Sequence, residues 1–357
     1  MKKFTQLVLS AAAFVPLHGL AQSAASNVQL YGRLDISVNQ HHFSGTPTQA
    51  EKSVTLMSSD TSLFGFKGSE DLGGGARAYF KIESGFNLDT GMQYSSTTLF
   101  NRETYVGIAS DRYGAVQLGS QYVPTQWLTK KADPFERSST GALLTLFQES
   151  ATNAYGYVAQ FNNAVQYISP EVAGVVGRAY WSAGEGSNLG NAWSLGIEYT
   201  GSRLWIGATA GGSHTTGAMV GLPGPTATDR STALGATYAL DSFKLHGFLI
   251  NDSIDGRSRM NGYMAGVSIP FGPGEFHTSY SRRHRLDVNN ADSSLLAVNY
   301  NYLMSKRTTL YLSASRLDNE AASRFGVWPA SREAAALGYP FGGQDVTALQ
   351  LGIRHLF

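Results

Sequence analysis

Seven histidines lie beyond the first twenty residues, at His41, His42, His214, His246, His277, His284 and His355. None forms a His-x-x-x-His pair of the kind that holds zinc on one helix face. No Gly-x-Ser-x-Gly elbow presents a serine nucleophile. No cofactor motif or metal-ligand set is read from this chain. The chemistry its residue types offer is charge on strands. Arg33, Lys67, Arg77, Lys81 and Arg354 sit on the polar phase of alternating segments, and the long stretch 124–160 carries Asp133, Glu136 and Glu149 among Lys130, Lys131 and Arg137. Opposed charges across a water-filled space orient dipolar solutes and sort ions by sign. The competing reading for each wall cation is an ion pair with a nearby acid such as Asp35 or Glu83.

Positioning such charges requires strands, and the sequence is built of them. Val28, Leu30, Gly32, Leu34 and Ile36 share one phase while Gln29, Tyr31, Arg33, Asp35 and Ser37 share the other. The same alternation recurs at 77–83, 193–199, 262–271 and 296–302, and period two over many segments marks strands with one apolar face. Short turns at 71–75, 111–114, 170–174, 201–203, 241–242, 272–274 and 305–306 alternate with longer polar stretches at 40–52, 88–98, 124–160, 215–229, 286–292 and 320–345. Two briefer polar stretches fall near 186–191 and 254–258. This gives about sixteen strands, an even number, with short connections on one rim and long ones on the other. The fold expected is all-β: a sixteen-stranded antiparallel transmembrane β-barrel occupying 22–357. A secreted β-sandwich or β-helix would also alternate, but strands of ~10 residues are long for a sandwich. Tyr199, Tyr238, Phe271, Phe276, Tyr302 and Phe357 gather near the short turns, as an interfacial girdle would. The segment from Val346 to Phe357 alternates to its last residue and is expected to close the cylinder against the first strand, because an open edge is not tolerated in hydrocarbon.

Composition agrees. Lys2 and Lys3, the apolar run Leu7 to Val15 and the small residues near Gly19-Leu20-Ala21 read as an export signal over 1–21. The chain has no cysteine, so no disulfide framework holds it. Twenty-seven Lys and Arg face 26 Asp and Glu, a balance that argues against a nucleic-acid partner. His41-His42 falls in the first long stretch as a solvated tip. His246 and His277 fall on lumen phases as polar lining. Tyr94 and Trp328 are candidates for contact with external partners, and Asp229, Asp252 and Asp255 leave open a divalent cation. A barrel enzyme or an adhesin with a plugged lumen are the alternative classes.

The runs Val28-Gln29-Leu30-Tyr31-Gly32-Arg33-Leu34-Asp35 and Phe64-Gly65-Phe66-Lys67-Gly68-Ser69-Glu70-Asp71-Leu72-Gly73 resemble the general trimeric porins of Gram-negative outer membranes, in their beta-proteobacterial branch. Asn101-Arg102-Glu103-Thr104-Tyr105-Val106-Gly107, Asn162-Asn163-Ala164-Val165-Gln166-Tyr167 and the ending Gly352-Ile353-Arg354-His355-Leu356-Phe357 extend the resemblance along the chain. It implies a homotrimeric channel for passive diffusion of small hydrophilic solutes, seated in outer-membrane lipid and lipopolysaccharide. It implies a third loop folded inward, a second loop latched onto a neighbouring subunit, and a terminal Phe357 read by the assembly machinery. It also implies that Arg102 points into the pore, although alternation puts Arg102 in phase with the apolar Val106 and Ile108. Three positions depart from the family's pattern: Leu63, Ser120 and Gln160 stand where arginine is common. A thinned basic strip is expected to weaken anion preference.

Overall fold

The computed structural model describes residues 27–148, 157–185, 190–215, 227–255 and 257–357. The first strands are β1 (Asn27–Phe43), β2 (Lys52–Ser59), β3 (Leu63–Gly73), β4 (Ala76–Gly85), β5 (Thr104–Ser110) and β6 (Gly114–Tyr122). Two helices follow, α1 (Pro124–Ala132) and α2 (Leu144–Phe147), and then β7 (Gln160–Ile168), β8 (Val175–Ser182), β9 (Ala192–Thr200) and β10 (Leu204–Thr215). The chain continues through β11 (Ala227–Ala239), β12 (Lys244–Ile254), β13 (Arg257–Phe271), β14 (Gly274–Arg285), β15 (Ser293–Leu303) and β16 (Thr308–Asn319). It finishes with α3 (Ser331–Ala336) and β17 (Val346–Leu356).

All neighbouring strands pair antiparallel, and β1 lies between β17 on one side and β2 and β3 on the other, so the sheet closes on itself. At the seam Gly32 N–H donates to the Phe357 carbonyl at 3.0 Å and Phe357 N–H returns to the Gly32 carbonyl at 3.1 Å. The Phe357 ring lies where a Cβ on residue 32 would sit, 2.2 Å away, so glycine at 32 is what lets the last ring pack against the wall.

The barrel has sixteen strands because β2 and β3 are two halves of one. Pairing with β1 runs to Ile36↔Ser59 and resumes at Arg33↔Leu63, so two residues of β1 face the three residues 60–62. That is a β-bulge, with Thr61 at φ 56° as its turning point. Ser62 Oγ accepts from Asp35 N–H and donates to the Asp35 carbonyl, both at 3.0 Å, restoring the bonds the bulge removes.

Burial is inverted relative to a soluble sheet protein. Val28, Leu30, Val106, Ile108, Leu195, Leu249, Leu296 and Leu351 are exposed, whereas Ser37, Asn39, Gln166, Ser194, Asn299, Ser313 and Gln350 are buried. Soluble monomers rarely expose an apolar patch beyond a few hundred Å², so this band belongs in hydrocarbon. None of the described helices is long and apolar enough to cross a membrane. The aromatics Tyr199, Tyr238, Phe271, Phe276, Tyr302 and Phe357 are all exposed near the short-turn rim.

The long connections differ in detail from the sequence reading. The second spans 86–103, and between β12 and β13 only residues 255–256 remain. The stretch 124–160 is not irregular throughout: Pro124 opens α1 at a position where its missing N–H costs nothing. Leu128 and Ala132 then supply a buried face. The 215–229 and 186–191 stretches fall partly outside the described residues.

Candidate functional site

The third long loop enters the barrel and seats α1 and α2 on the wall formed by β9 to β14. The seat is a strip of lumen-facing glycines. A Cβ at Gly207 would lie 2.7 Å from Leu128, and one at Gly262 would lie 2.2 Å from the Phe147 ring. Polar contacts fix the same seat. Thr125 Oγ1 donates to Thr209 Oγ1 at 3.0 Å, and Lys131 meets Glu198 at 2.5 Å. His246 Nδ1 lies 3.0 Å from the Ala132 carbonyl. A carbonyl only accepts, so Nδ1 carries the proton and Nε2 accepts from the Ser268 hydroxyl, whose oxygen in turn accepts a hydrogen bond from His277 Nδ1–H. These two histidines are therefore part of the loop's seat rather than open lining.

Across the lumen the loop reaches β16, β17 and the bulge. Ser139 N–H donates to Asp60 Oδ2 at 2.6 Å, Thr140 and Ser313 hydroxyls lie 2.5 Å apart, and Arg354 donates to Ser138 at 2.8 Å. Chain reversal between α1 and α2 uses the left-handed region at Glu136, Arg137 and Ser139. Asp133 organises that reversal: its carboxylate accepts from the N–H groups of Phe135, Arg137 and Leu143 at 2.8–3.0 Å. From the sequence alone, Asp133 belongs with the loop acids that oppose the basic wall. It is instead buried against its own loop, because three convergent backbone donors hold a carboxylate better than a distant arginine does. Asp133→Asn replaces one accepting oxygen with a donor, which costs about 1–3 kcal/mol of loop docking. Noisier open-channel current than wild type is the expected readout.

The wall cations form neutralised clusters. Asp35 is fully buried and accepts from Arg33 at 2.7 Å, Arg354 at 2.6 Å and the Tyr311 hydroxyl at 2.7 Å. Asp60, also buried, stands beside it. In the second cluster Lys81 meets Glu83 at 3.0 Å and Glu103 at 2.6 Å, while Arg102 Nε lies 3.7 Å from Glu83. Each cluster thus sets two cations against two acids. Lys67 is exposed over the Tyr31 ring, and Arg77 is exposed beside the short-turn rim, away from the loop. Lys130 faces the lumen: burial pushes its ammonium below the usual lysine range, Glu136 opposes that shift, and Arg33, Lys81 and Arg102 add to it. Glu136 is exposed on the loop. Glu149 lies outside the described residues.

Arg102 resolves its phase conflict simply. Strand β5 begins at Thr104, so the period-two rule does not reach back to Arg102. Its guanidinium turns inward over the Tyr122 ring, 5.7 Å from the centroid. Leu63 pairs in register with Arg33. Ser120 and Gln160 bond each other at 2.6 Å, and Gln160 also donates to the Arg102 carbonyl at 2.6 Å.

Sequence reasoning missed Glu103, Asp60, Tyr122 and the role of the last loop. From the sequence alone, Trp328 is a candidate for contact with external partners. It instead turns into the barrel, where its indole N–H donates to Asp60 Oδ1 at 2.9 Å, because the bulge aims that carboxylate at the loop. Tyr94 N–H bonds the Gly85 carbonyl of its own barrel at 3.0 Å. Among the described residues no group of three His, Cys, Asp or Glu could hold a metal ion. Asp255 accepts from Thr228 N–H at 2.8 Å.

A family model described as Gram-negative porin matches residues 8–322. Outer membrane porin protein 32 of Delftia acidovorans is 30% identical over 348 residues, covering 94% of this chain and 96% of that protein. An outer membrane porin protein of Bordetella pertussis is 26% identical, covering 88% of this chain and 94% of that protein. Among solved structures, an anion-selective porin from Comamonas acidovorans superposes with a TM-score of 0.78 at 24% identity, covering 93% of this chain and all of that one.

Proposed function

The chain belongs to the Gram-negative porin family, and we propose that its outer-membrane channel is only weakly anion-selective. The barrel passes small hydrophilic solutes by passive diffusion, and the inward third loop sets the narrowest section. The observation that carries the reading of selectivity is the pairing at the wall: Asp35 engages Arg33 and Arg354, and Glu83 and Glu103 engage Lys81 and Arg102. Lys67 and Lys130 leave a small positive excess, opposed by Glu136. The Comamonas acidovorans porin is described as anion-selective. Here the same sign of preference is weakened, since Leu63, Ser120 and Gln160 supply no charge. Liposome swelling tests the channel itself: neutral sugars should enter at rates that fall with size and do not saturate.

The working unit is a homotrimer in outer-membrane lipid and lipopolysaccharide, reached after removal of residues 1–21 as an export signal. Phe357 serves both closure and recognition by the assembly machinery. Deleting Phe357 should sharply reduce the heat-resistant oligomer recovered from outer membranes, measured by electrophoresis of unheated and heated samples. An unchanged yield would remove that role.

A further inference from the structure

A cavity of about 360 Å³ opens where α1, the segment before β5 and the last long loop meet. It is at the small end of the ~300–1,000 Å³ typical of ligand sites, room for one small ring-bearing solute. Its polar groups are of definite sense. Arg102 Nε is buried without a hydrogen-bond partner, and the Arg102 side chain lines this cavity. Gln126 spends its side-chain oxygen on Arg137 and on the Tyr157 hydroxyl, at 3.1 Å from the latter, so its amide N–H groups are what remain to donate. Gln160 is oriented the other way, with its donors spent on Ser120 and the Arg102 carbonyl. One cationic fork and one amide donor thus meet in the same space, an arrangement suited to a carboxylate.

The walls are aromatic. Tyr122 lies under Arg102, and Phe325 and Trp328 come from the last loop. Because the Trp328 N–H is committed to Asp60, the ring is held in place and offers the cavity its apolar surface. Glu83, 3.7 Å from Arg102 Nε, disfavours a second negative charge on the occupant.

We propose that this cavity is a binding subsite for small planar monocarboxylates, with the carboxylate on Arg102 and Gln126 and the ring against Trp328. The inference rests on the channel reading and adds a solute class to it. The test uses the full-length protein in planar bilayers, with current block in KCl titrated by benzoate, cyclohexanecarboxylate and benzyl alcohol. Benzoate should half-block at a concentration at least about threefold below that of cyclohexanecarboxylate, the margin expected of a ring-on-ring contact. Benzyl alcohol should not block. Arg102→Gln should raise the benzoate half-block concentration about tenfold, and Trp328→Leu should bring the ratio of the two acids close to one. Equal block by both acids in the wild type, which needs no variant to fold, overturns the proposal, as does an Arg102→Gln channel that binds benzoate normally. A preparation with no KCl conductance contradicts the channel reading itself, and the subsite with it.

Discussion

Asp35→Asn turns a weakly selective channel into a strongly anion-selective one. The carboxylate is fully buried and is the shared acceptor of Arg33 and Arg354. Removing its charge leaves two guanidinium groups facing the lumen with no opposing acid in contact. Chloride is then drawn in and potassium repelled along the same wall, an electrostatic bias that a narrow, low-dielectric section magnifies. The change also carries a structural cost. Breaking one side of a buried pair costs about 3–5 kcal/mol, and Tyr311 keeps only an amide oxygen to donate to. The variant should therefore show a reversal potential shifted toward the chloride limit and a heat-dissociated oligomer at a lower temperature. The paired change Asp35→Asn with Arg354→Gln separates the two effects, because it restores the charge balance. Its reversal potential should return most of the way to wild type. A single variant with unaltered selectivity would mean that the Asp35 cluster does not face the permeation path.

Gly262→Val releases the third loop. A Cβ at this position falls 2.2 Å from the Phe147 ring, which is itself buried against Phe248. Neither ring can withdraw without opening the seat, so the added methyls oppose docking by about 1–3 kcal/mol, the usual cost of overpacking. The β-wall tolerates valine well, so the barrel should still form and the effect should fall on the loop. Higher single-channel conductance with frequent partial closures is the expected record. Conductance and noise identical to wild type would show that the loop does not limit the pore.

How far these features could be read from the sequence depends on whether periodicity reaches them. Alternation in β1, β4, β9, β13 and β15 sets the lumen phase, and counting turns recovers sixteen strands because the bulge at 60–62 interrupts pairing without reversing the chain. Asp35 and Glu83 were legible as partners of the wall cations, since they share the cations' phase on the same strands. Asp133 was not, because its fate depends on left-handed residues at 136, 137 and 139 that no pattern announces. Arg102 fails for a related reason, lying just outside the strand whose phase it was assigned. The contact between Trp328 and Asp60 joins residues 268 apart and depends on both the bulge and the last loop. The sequence does carry one mark of the loop's seat: glycines at 196, 207, 235, 262 and 266 on lumen phases line the wall that the loop rests on.

The most direct test is the reversal potential of single channels under a tenfold KCl gradient. A neutralised constriction predicts discrete conductance steps and a potential of chloride sign well below the ~59 mV limit for one monovalent ion. A value close to that limit, or a membrane that never conducts, contradicts the account.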